Sequence, residues 1–410
     1  MGGKLIDLDE ARRRVLEAVR ALPDESVPLA QAAGRVLAES VVAAGDVPPF
    51  ATSAMDGYAV TAGDAGRELA VGGEARAGSP TAKKVDAGTA IAISTGAPLP
   101  DGAEAVIRVE ETSREGDLVA LAQAVEAGQH VRLAGEDLAA GAEVLRPGTR
   151  LGAEELAVAA ASGRAELRCA QVPRLAAVMT GDELTPHGAQ LGPGAIHDSN
   201  GVMVAALTAA AGGAVVSVAT AGDDAAATRS ALGDAIAAAH VVVSTGGVSV
   251  GEHDHVKAAL GDLGVDERFW RVALKPGKPV WFGVHGATLV FGLPGNPASA
   301  AVCFHLFVAP ALRALGGAPP LPWRVVATLT APTAGARGRL HAVRVALAHD
   351  AEGRLVATPT GAQDSHRLAS LAGADGLALV PAGTDLEAGD RVDVEPLRAG
   401  WPSSGMLSGG

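Results

Sequence analysis

The chain has 410 residues, with 46 acidic against 33 basic side chains and a formal net charge of −13. That balance argues against a broad nucleic-acid or anionic-membrane surface and leaves room only for a local basic pocket. Hydrophobic residues at 48% and charged residues at 19% are those of a soluble globular protein of roughly two to four domains. Aromatics at 3% mean that the cores are built from Ala, Val and Leu. Cys169 and Cys303 stand far apart and outside any C-x-x-C pattern, so a reducing compartment and no cysteine-bound metal are expected.

The N-terminus MGGKLIDLDEARRRV carries charges where a signal peptide needs an apolar core. Ile6 breaks the myristoylation pattern, so a cytoplasmic, membrane-free protein is expected. Leu8 to Ala21 has helical periodicity with an acidic start at Asp7, Asp9 and Glu10, and Pro23 ends it. Val27 to Val42 reads as a short strand and helix. The loop Asp46 to Val60, DVPPFATSAMDGYAV, gathers Phe50, Met55 and Tyr58 around one acid, Asp56. It reads equally well as a loop pinned by its apolar residues and as part of a site.

From Glu68 to Val144 short β-like runs alternate with glycine, the pattern of a small β-rich domain. Two of its turns have polar tips, at Thr95 and at Glu136-Asp137, and such tips are most often solvated. Glu154 to Ala161 is a helix. Segments on either side of the β-rich stretch resemble parts of one element, so the stretch is read as an insertion.

Arg174 to Leu315 alternates strand and helix, the signature of a βαβ sheet. Strands are expected at Leu175–Met179, Ala214–Ala219, His240–Ser244 and Thr288–Phe291. Helices are expected near Gly201, capped by Asp198-Ser199-Asn200, at Ala225–Ala239, from Val256, and from Pro297. The uncharged run Val202–Ala221 reads as a buried helix, a Gly212-Gly213 turn and a strand, not a membrane span.

All four strands end in glycine-rich loops bearing Asp, Glu, Asn or Ser. Parallel connections place those ends on one side of the sheet, where such folds bind ligands. Glu183 lies in the first of these loops and Asp223 in the second. Ser244-Thr245-Gly246-Gly247 leads the third, with Ser249, Glu252 and Asp254 following. Pro294 and Pro297 frame the fourth, GLPGNP. Neither GxGxxG after a strand nor GxxxxGK[ST] occurs.

In LKPGKP, Lys275 and Lys278 flank a Pro-Gly turn and can form a compact anion site, although a hairpin with two solvated lysines is the usual default. Carboxylates that can hold Mg²⁺ beside lysines that can hold oxyanions suggest a phosphate-containing substrate. His253 and His255 flank Asp254 without the further ligand a zinc site needs. Pro319 to Pro396 reads as a small β domain in which Arg339, Arg344, Ser365, His366 and Arg367 cluster.

Eight motifs then stand in order: PPFATSAMDGYAV, ISTGAP, GEDL, MTGDEL, IHDSN, STGGVSVGEHDHV, LKPGKP and FGLPGNPASA. Together they resemble the molybdopterin molybdenumtransferase family, whose animal relative is the gephyrin E domain. The resemblance runs from Leu5 to about Leu397.

It implies an elongated α/β and β multidomain homodimer. Residues 1–47 with 140–172 would be a discontinuous linking subdomain, and 48–139 the inserted β-rich subdomain. Residues 173–317 would be a molybdopterin-binding α/β domain with a mostly parallel sheet, and 318–397 a small C-terminal β domain; beyond the resemblance, the Gly/Ser-rich composition makes 398–410 an expected disordered tail. The implied reaction takes adenylylated molybdopterin and molybdate with Mg²⁺ and releases AMP. The implied pathway neighbours are a molybdopterin adenylyltransferase upstream and apo-molybdoenzymes downstream.

Residue by residue, Asp254 resembles the essential acid and, with Glu252, the Mg²⁺ ligands. Glu183 and Asp223 resemble acids on the pterin or phosphate side. Residues 244–247 and Ser249 line the same cofactor loop. Lys275 and Lys278 resemble the molybdate lysines, with Arg339 and Ser365 as oxyanion partners. Asp56, Thr95 and Asp137 resemble cleft residues lent by the other subunit. Pro294 and Pro297 resemble the rigid turn that shapes the pocket. One departure, Ala362 where many relatives have His, bears on the anion pocket. The alternatives are a nucleotide pyrophosphatase or molybdopterin adenylyltransferase, which share the α/β domain alone, and a non-catalytic scaffold.

Overall fold

The computed structural model describes residues 5–247 and 255–397. Ser249, Glu252, Asp254 and the tail from 398 lie outside that range. The chain divides into two compact units, one made of Ser26–Ala33 and Leu37–Arg168, the other of the remaining described residues.

The smaller unit is built on a six-stranded sheet. Its order is Ala105–Arg108, Gly57–Val60, Thr89–Ile93, Glu68–Ala75, Leu118–Leu121, Thr112–Glu115. Alternate residues of one strand serve two cores. Tyr58 and Val60 pack with Leu69, Ile107 and Val119, while Ala59 packs with Ile91, Ile93 and Val106 on the other face. The helix Ala153–Ala161 opens with the Gly152 N–H donating to the Glu155 carboxylate at 2.8 Å. The expected helix within Val27–Val42 is replaced by one 3-10 turn, Leu29–Gln31, between strands Asp24–Pro28 and Val41–Val42. Pro28 holds extended backbone before the turn and Gly34 takes φ +76° after it, which leaves no room for a helix.

The larger unit begins with α1 (Leu8–Ala18), capped by Asp7, whose side chain accepts the Glu10 N–H at 2.8 Å. It stops at Ala18 rather than Ala21, because Val19 is already extended.

Next come β1 (Arg174–Thr180), α2 (Asn200–Ala210), β2 (Ala214–Ala221), α3 (Ala225–Ala238), β3 (Val241–Thr245), α4 (His255–Asp262), β4 (Asp266–Trp270), β5 (Trp281–His285) and β6 (Thr288–Leu293). They form a sheet of order β2-β1-β3-β6-β5-β4. The first four strands are parallel, and β5 runs antiparallel to both β6 and β4. The central strands β1 and β3 are buried along Leu175–Met179 and Val241–Thr245, and are apolar there up to the polar ends at Ser244 and Thr245, because both faces are covered. The helix in the uncharged run is less buried than expected. Val202 is 54% exposed, and β2, as an edge strand, leaves Val216 and Val218 exposed too.

After β6, α5 (Pro297–Cys303) continues through a π segment, Phe304–Val308, into α6 (Ala309–Leu315). This stretch is long and apolar enough to cross a membrane, but 83% of its apolar window is buried inside the unit, which marks it as a core helix. Pro310 has no N–H to give the Leu306 carbonyl one turn back. Arg12 of α1 takes its place, with Nε donating to Leu306 O at 2.9 Å.

The remaining strands are β7 (Val325–Leu329), β8 (Leu340–His349), β9 (Leu355–Pro359), β10 (Gly376–Val380) and β11 (Arg391–Pro396). Their order is β8-β9-β7-β11-β10, and β10 also pairs with β8, which closes a small barrel. Leu274–Lys275 adds alongside β8, and Ala342, Leu377 and Leu379 join the core beneath α5 and α6.

Candidate active site

The parallel register brings the carboxyl ends of β1, β2, β3 and β6 to one side, and a pocket of about 490 Å³ opens there. Its walls include Glu183, Asp198, Asn200, Asp223, Thr245, Gly246, Gly247, Asn296 and Pro297. Six of the expected residues are therefore together: Glu183, Asp223, Thr245, Gly246, Gly247 and Pro297.

The floor is tied from three directions. Thr180 Oγ1 donates to Thr245 O at 3.1 Å, Gly246 N to Leu293 O at 3.2 Å, and Asn200 Nδ2 to Gly295 O at 2.8 Å. Ser244, expected in the pocket, is instead fully buried below it, its hydroxyl without a partner among the described residues. Pro294 is buried within its turn.

Gly246 is required by two constraints. Its φ is +89°, and a Cβ there would lie 2.6 Å from Thr180 Oγ1 and 2.9 Å from Thr180 O. Gly246→Ala is expected to lose about 1–3 kcal/mol of stability and to deform the floor. A melting temperature equal to that of the parent chain would contradict this.

Two acids are committed to local structure. Asp198 Oδ1 accepts the Gly201 N–H at 2.9 Å, and Asp182 Oδ1 accepts the Asp223 N–H at 2.9 Å. No such bond occupies the carboxylates of Glu183 and Asp223 among the described residues, so these are available to a ligand. Sequence reading gave Asp198-Ser199-Asn200 as capping residues only, and Asn200 and Asn296 were not singled out. A buried Asn ahead of a helix looks like a cap until the loops of β3 and β6 are seen to converge on it.

Across the pocket edge, Asn296 Nδ2 donates to Ser365 Oγ at 3.0 Å, so the barrel's 360–370 loop reaches the α/β pocket. That loop is organised by Arg344 on β8. Arg344 Nε donates to Ser370 Oγ at 2.7 Å, and its second terminal nitrogen to Ala362 O at 3.3 Å and Asp364 O at 3.2 Å. Its main chain accepts from the side chains of Gln363 and Thr360, at 3.2 Å each.

Arg344 is fully buried, and its remaining terminal nitrogen has no partner among the described residues. Burial pushes its pKa down, with the Asp364 charge opposing. Neighbouring His341 is also held below the usual imidazole range. Burial is the main cause, the bond to Ala334 O opposes it, and the charges of Lys275, Arg344 and Arg339 reinforce it. In an acidic chain, those three cations thus share one neighbourhood.

The LKPGKP segment does lie in the hairpin connection between antiparallel β4 and β5, but its two lysines are not both solvated. Lys275 pairs with β8 and is half-buried, while Lys278 is exposed. Between them Gly277 has φ +111°, and a Cβ there would meet Cys303 Sγ at 2.4 Å.

In the smaller unit, Thr95 donates to Asp56 Oδ1 from its N–H at 2.7 Å and from its hydroxyl at 3.2 Å. Asp137 N donates to Val47 O at 3.0 Å. The three expected residues of that unit therefore border one segment, 46–56.

Three family models match in succession: the MoeA N-terminal region (domain I and II) at residues 6–163, a probable molybdopterin binding domain at 176–314, and the MoeA C-terminal region (domain IV) at 326–397. Molybdopterin molybdenumtransferase 2 of Mycobacterium tuberculosis H37Rv is 40% identical over 406 residues, which cover 93% of this chain and 99% of that one. The chain belongs to the molybdopterin molybdenumtransferase family. The molybdopterin molybdenumtransferase of Haemophilus influenzae is 34% identical over 96% of this chain and 98% of its own. The crystal structure of the molybdopterin biosynthesis MoeA protein of Pyrococcus horikoshii OT3 matches with a TM-score of 0.83 at 30% identity. That match covers 96% of this chain and all of that one. Family members are transferases of molybdenum cofactor biosynthesis, and the architecture of N-terminal, α/β and C-terminal β regions is the family's.

Proposed function

We propose that the protein takes adenylylated molybdopterin and molybdate, places molybdenum on the dithiolene and releases AMP. The observation that carries this is the Asn296–Ser365 bond, which joins a pocket with two uncommitted carboxylates to a cationic neighbourhood. A tetrahedral dianion needs compact positive charge with hydroxyl donors, and Lys275, Lys278, Arg339 and Ser365 supply it. Arg344 is added to that set, because its one unpartnered guanidinium nitrogen is buried behind the Ser365 loop.

The hard oxygens of Glu183 and Asp223 fit a Mg²⁺ ion shared with substrate phosphates and water. Among the described residues no group of three or more His, Cys, Asp or Glu makes a ready cage. When bound, the ion supplies charge neutralisation at the pyrophosphate. Glu252 and Asp254 are proposed as its further ligands, with Asp254 as the essential acid. Asp56, Thr95 and Asp137 are proposed as cleft residues contributed across a homodimer. On the family resemblance, the reaction is cytoplasmic, follows a molybdopterin adenylyltransferase and feeds apo-molybdoenzymes.

The test is AMP release from adenylylated molybdopterin with Mg²⁺, with and without molybdate. Molybdate-dependent release is expected, and Asp254→Ala is expected to lose it by about 100-fold or more. No release from folded wild-type protein would move the reading to a pyrophosphatase on another nucleotide or to a scaffold.

A further inference from the structure

Asn200, the first residue of α2, ties together loops that leave different strands. Its Nδ2 donates to Gly295 O at 2.8 Å and to Thr245 Oγ1 at 3.3 Å. Thr245 ends β3, and its hydroxyl donates in turn to Met179 Sδ of β1 at 3.0 Å. Gly295 belongs to the GLPGNP turn that follows β6. A Cβ on Gly295 would lie 3.5 Å from Gly246 Cα, so the β3 and β6 loops rest against each other where the amide bridges them. Asn200 is 9% exposed, and its Oδ1 is buried without a partner among the described residues. An orphaned acceptor offsets much of what the two donated bonds contribute to stability. A buried amide that yields little net stability points to a role in shaping the site.

That role follows from the next residue of the chain. Gly295 and Asn296 are both exposed, and the Asn200 amide holds the Gly295 carbonyl in place. The peptide joining Gly295 to Asn296 is planar, so fixing its carbonyl fixes the direction in which Asn296 leaves it. Asn296 Nδ2 donates to Ser365 Oγ at 3.0 Å. Asn200 lines the α/β pocket, yet it reaches the barrel loop through these two hydrogen bonds and the peptide between them.

We infer that Asn200 is a positioning residue for the oxyanion site: by fixing Gly295 O it sets, through Asn296, where the Ser365 hydroxyl stands. This rests on the reading above, in which Ser365 helps to hold molybdate. The test uses Asn200→Leu, which keeps the side-chain shape while removing the donor and the orphaned acceptor. Asn296→Ala cuts the next link at an exposed position. Molybdate affinity is measured by calorimetry, half-saturating molybdate in the AMP-release assay, and melting temperature on each variant. Asn200→Leu is expected to melt near wild type while both molybdate values weaken roughly five- to tenfold, the worth of one hydrogen bond. Asn296→Ala is expected to do the same. Added to Ser365→Ala, Asn200→Leu is expected to weaken molybdate little further, because both act through one hydroxyl. Wild-type molybdate affinity in folded Asn200→Leu would overturn the inference, and so would full additivity with Ser365→Ala. Melting temperature and affinity lost together in Asn200→Leu, with Asn296→Ala unchanged, would make Asn200 a packing residue and overturn it too. Wild type that binds molybdate but releases no AMP would remove the transferase reading and leave this one standing. Wild type that binds no molybdate would remove both.

Discussion

Arg12→Met is expected to cost the protein about 3–5 kcal/mol, because it leaves a buried carboxylate without its main partner. Arg12 and Glu395 are 3% and 4% exposed and form a bidentate pair at 2.7 and 2.6 Å, with Arg324 Nε adding a contact at 3.0 Å. The double variant Arg12→Met with Glu395→Leu is expected to recover part of the loss, since no lone charge is then buried. It cannot recover all of it, because Leu306 O loses its donor.

The pair also sets a pH response. Burial pushes the Glu395 pKa up, but the Arg12 hydrogen bonds and charge, with Arg324, hold it below its usual 4.5. Its contribution is therefore complete above 4.5 and is lost as pH falls through the lower folded value. His305 is pushed down from 6.5 to about 4, chiefly by burial and then by the Arg313 charge, with Glu395 opposing. Below pH 6.5 the unfolded chain takes that proton first, so stability falls from 6.5 towards 4. Melting temperatures taken from pH 7 to below 4.5 should show both losses in the wild type, whereas in Arg12→Met the Glu395 step should reverse, because protonation relieves a buried carboxylate that has lost its arginine. A variant melting within a degree or so of the parent at pH 7 would sink the account.

Arg344→Met should fall mainly on activity. Three guanidinium hydrogen bonds to Ser370, Ala362 and Asp364 hold the loop that presents Ser365 to Asn296. Losing them is expected to slow molybdate-dependent AMP release on the order of 100-fold, or about 3 kcal/mol, and to raise the molybdate concentration needed for half-maximal rate. Arg344→Lys cannot span the three acceptors and should recover little. Wild-type molybdate dependence in Arg344→Met would leave Arg339 as the arginine of that site.

These two arginines mark where sequence reading reached its limit. The four parallel strands were legible because short, mostly apolar runs ended in Gly, Asp and Asn. The pocket acids were legible because they stood at those ends. Arg344 lies inside HAVRVAL, where a lone charge in an apolar strand looks like a solvated face. Only barrel closure, which folds the 360–370 loop over it, makes it a hub. Arg12 stands in a run of three arginines on an amphipathic helix. Its neighbours Arg13 and Arg14 pair with surface glutamates as such a run suggests. Nothing local says that Arg12 turns inward to a carbonyl freed by Pro310. The Val27–Val42 helix failed in the opposite direction, because Pro28 and the Gly34 conformation outweighed a helical composition.

The Pro310 interruption bears on the order of assembly. Arg12 lies 383 residues before Glu395, so during synthesis it has no carboxylate partner until the last strand leaves the ribosome. The core helix and the pocket-bearing sheet are complete well before that. The ion pair on the N-terminal helix thus closes late, only when the barrel does, after the Leu306 bond and the packing of Leu8, Ala11 and Val15 are already available, and a chain truncated within β11 would lose that pair together with its last strand.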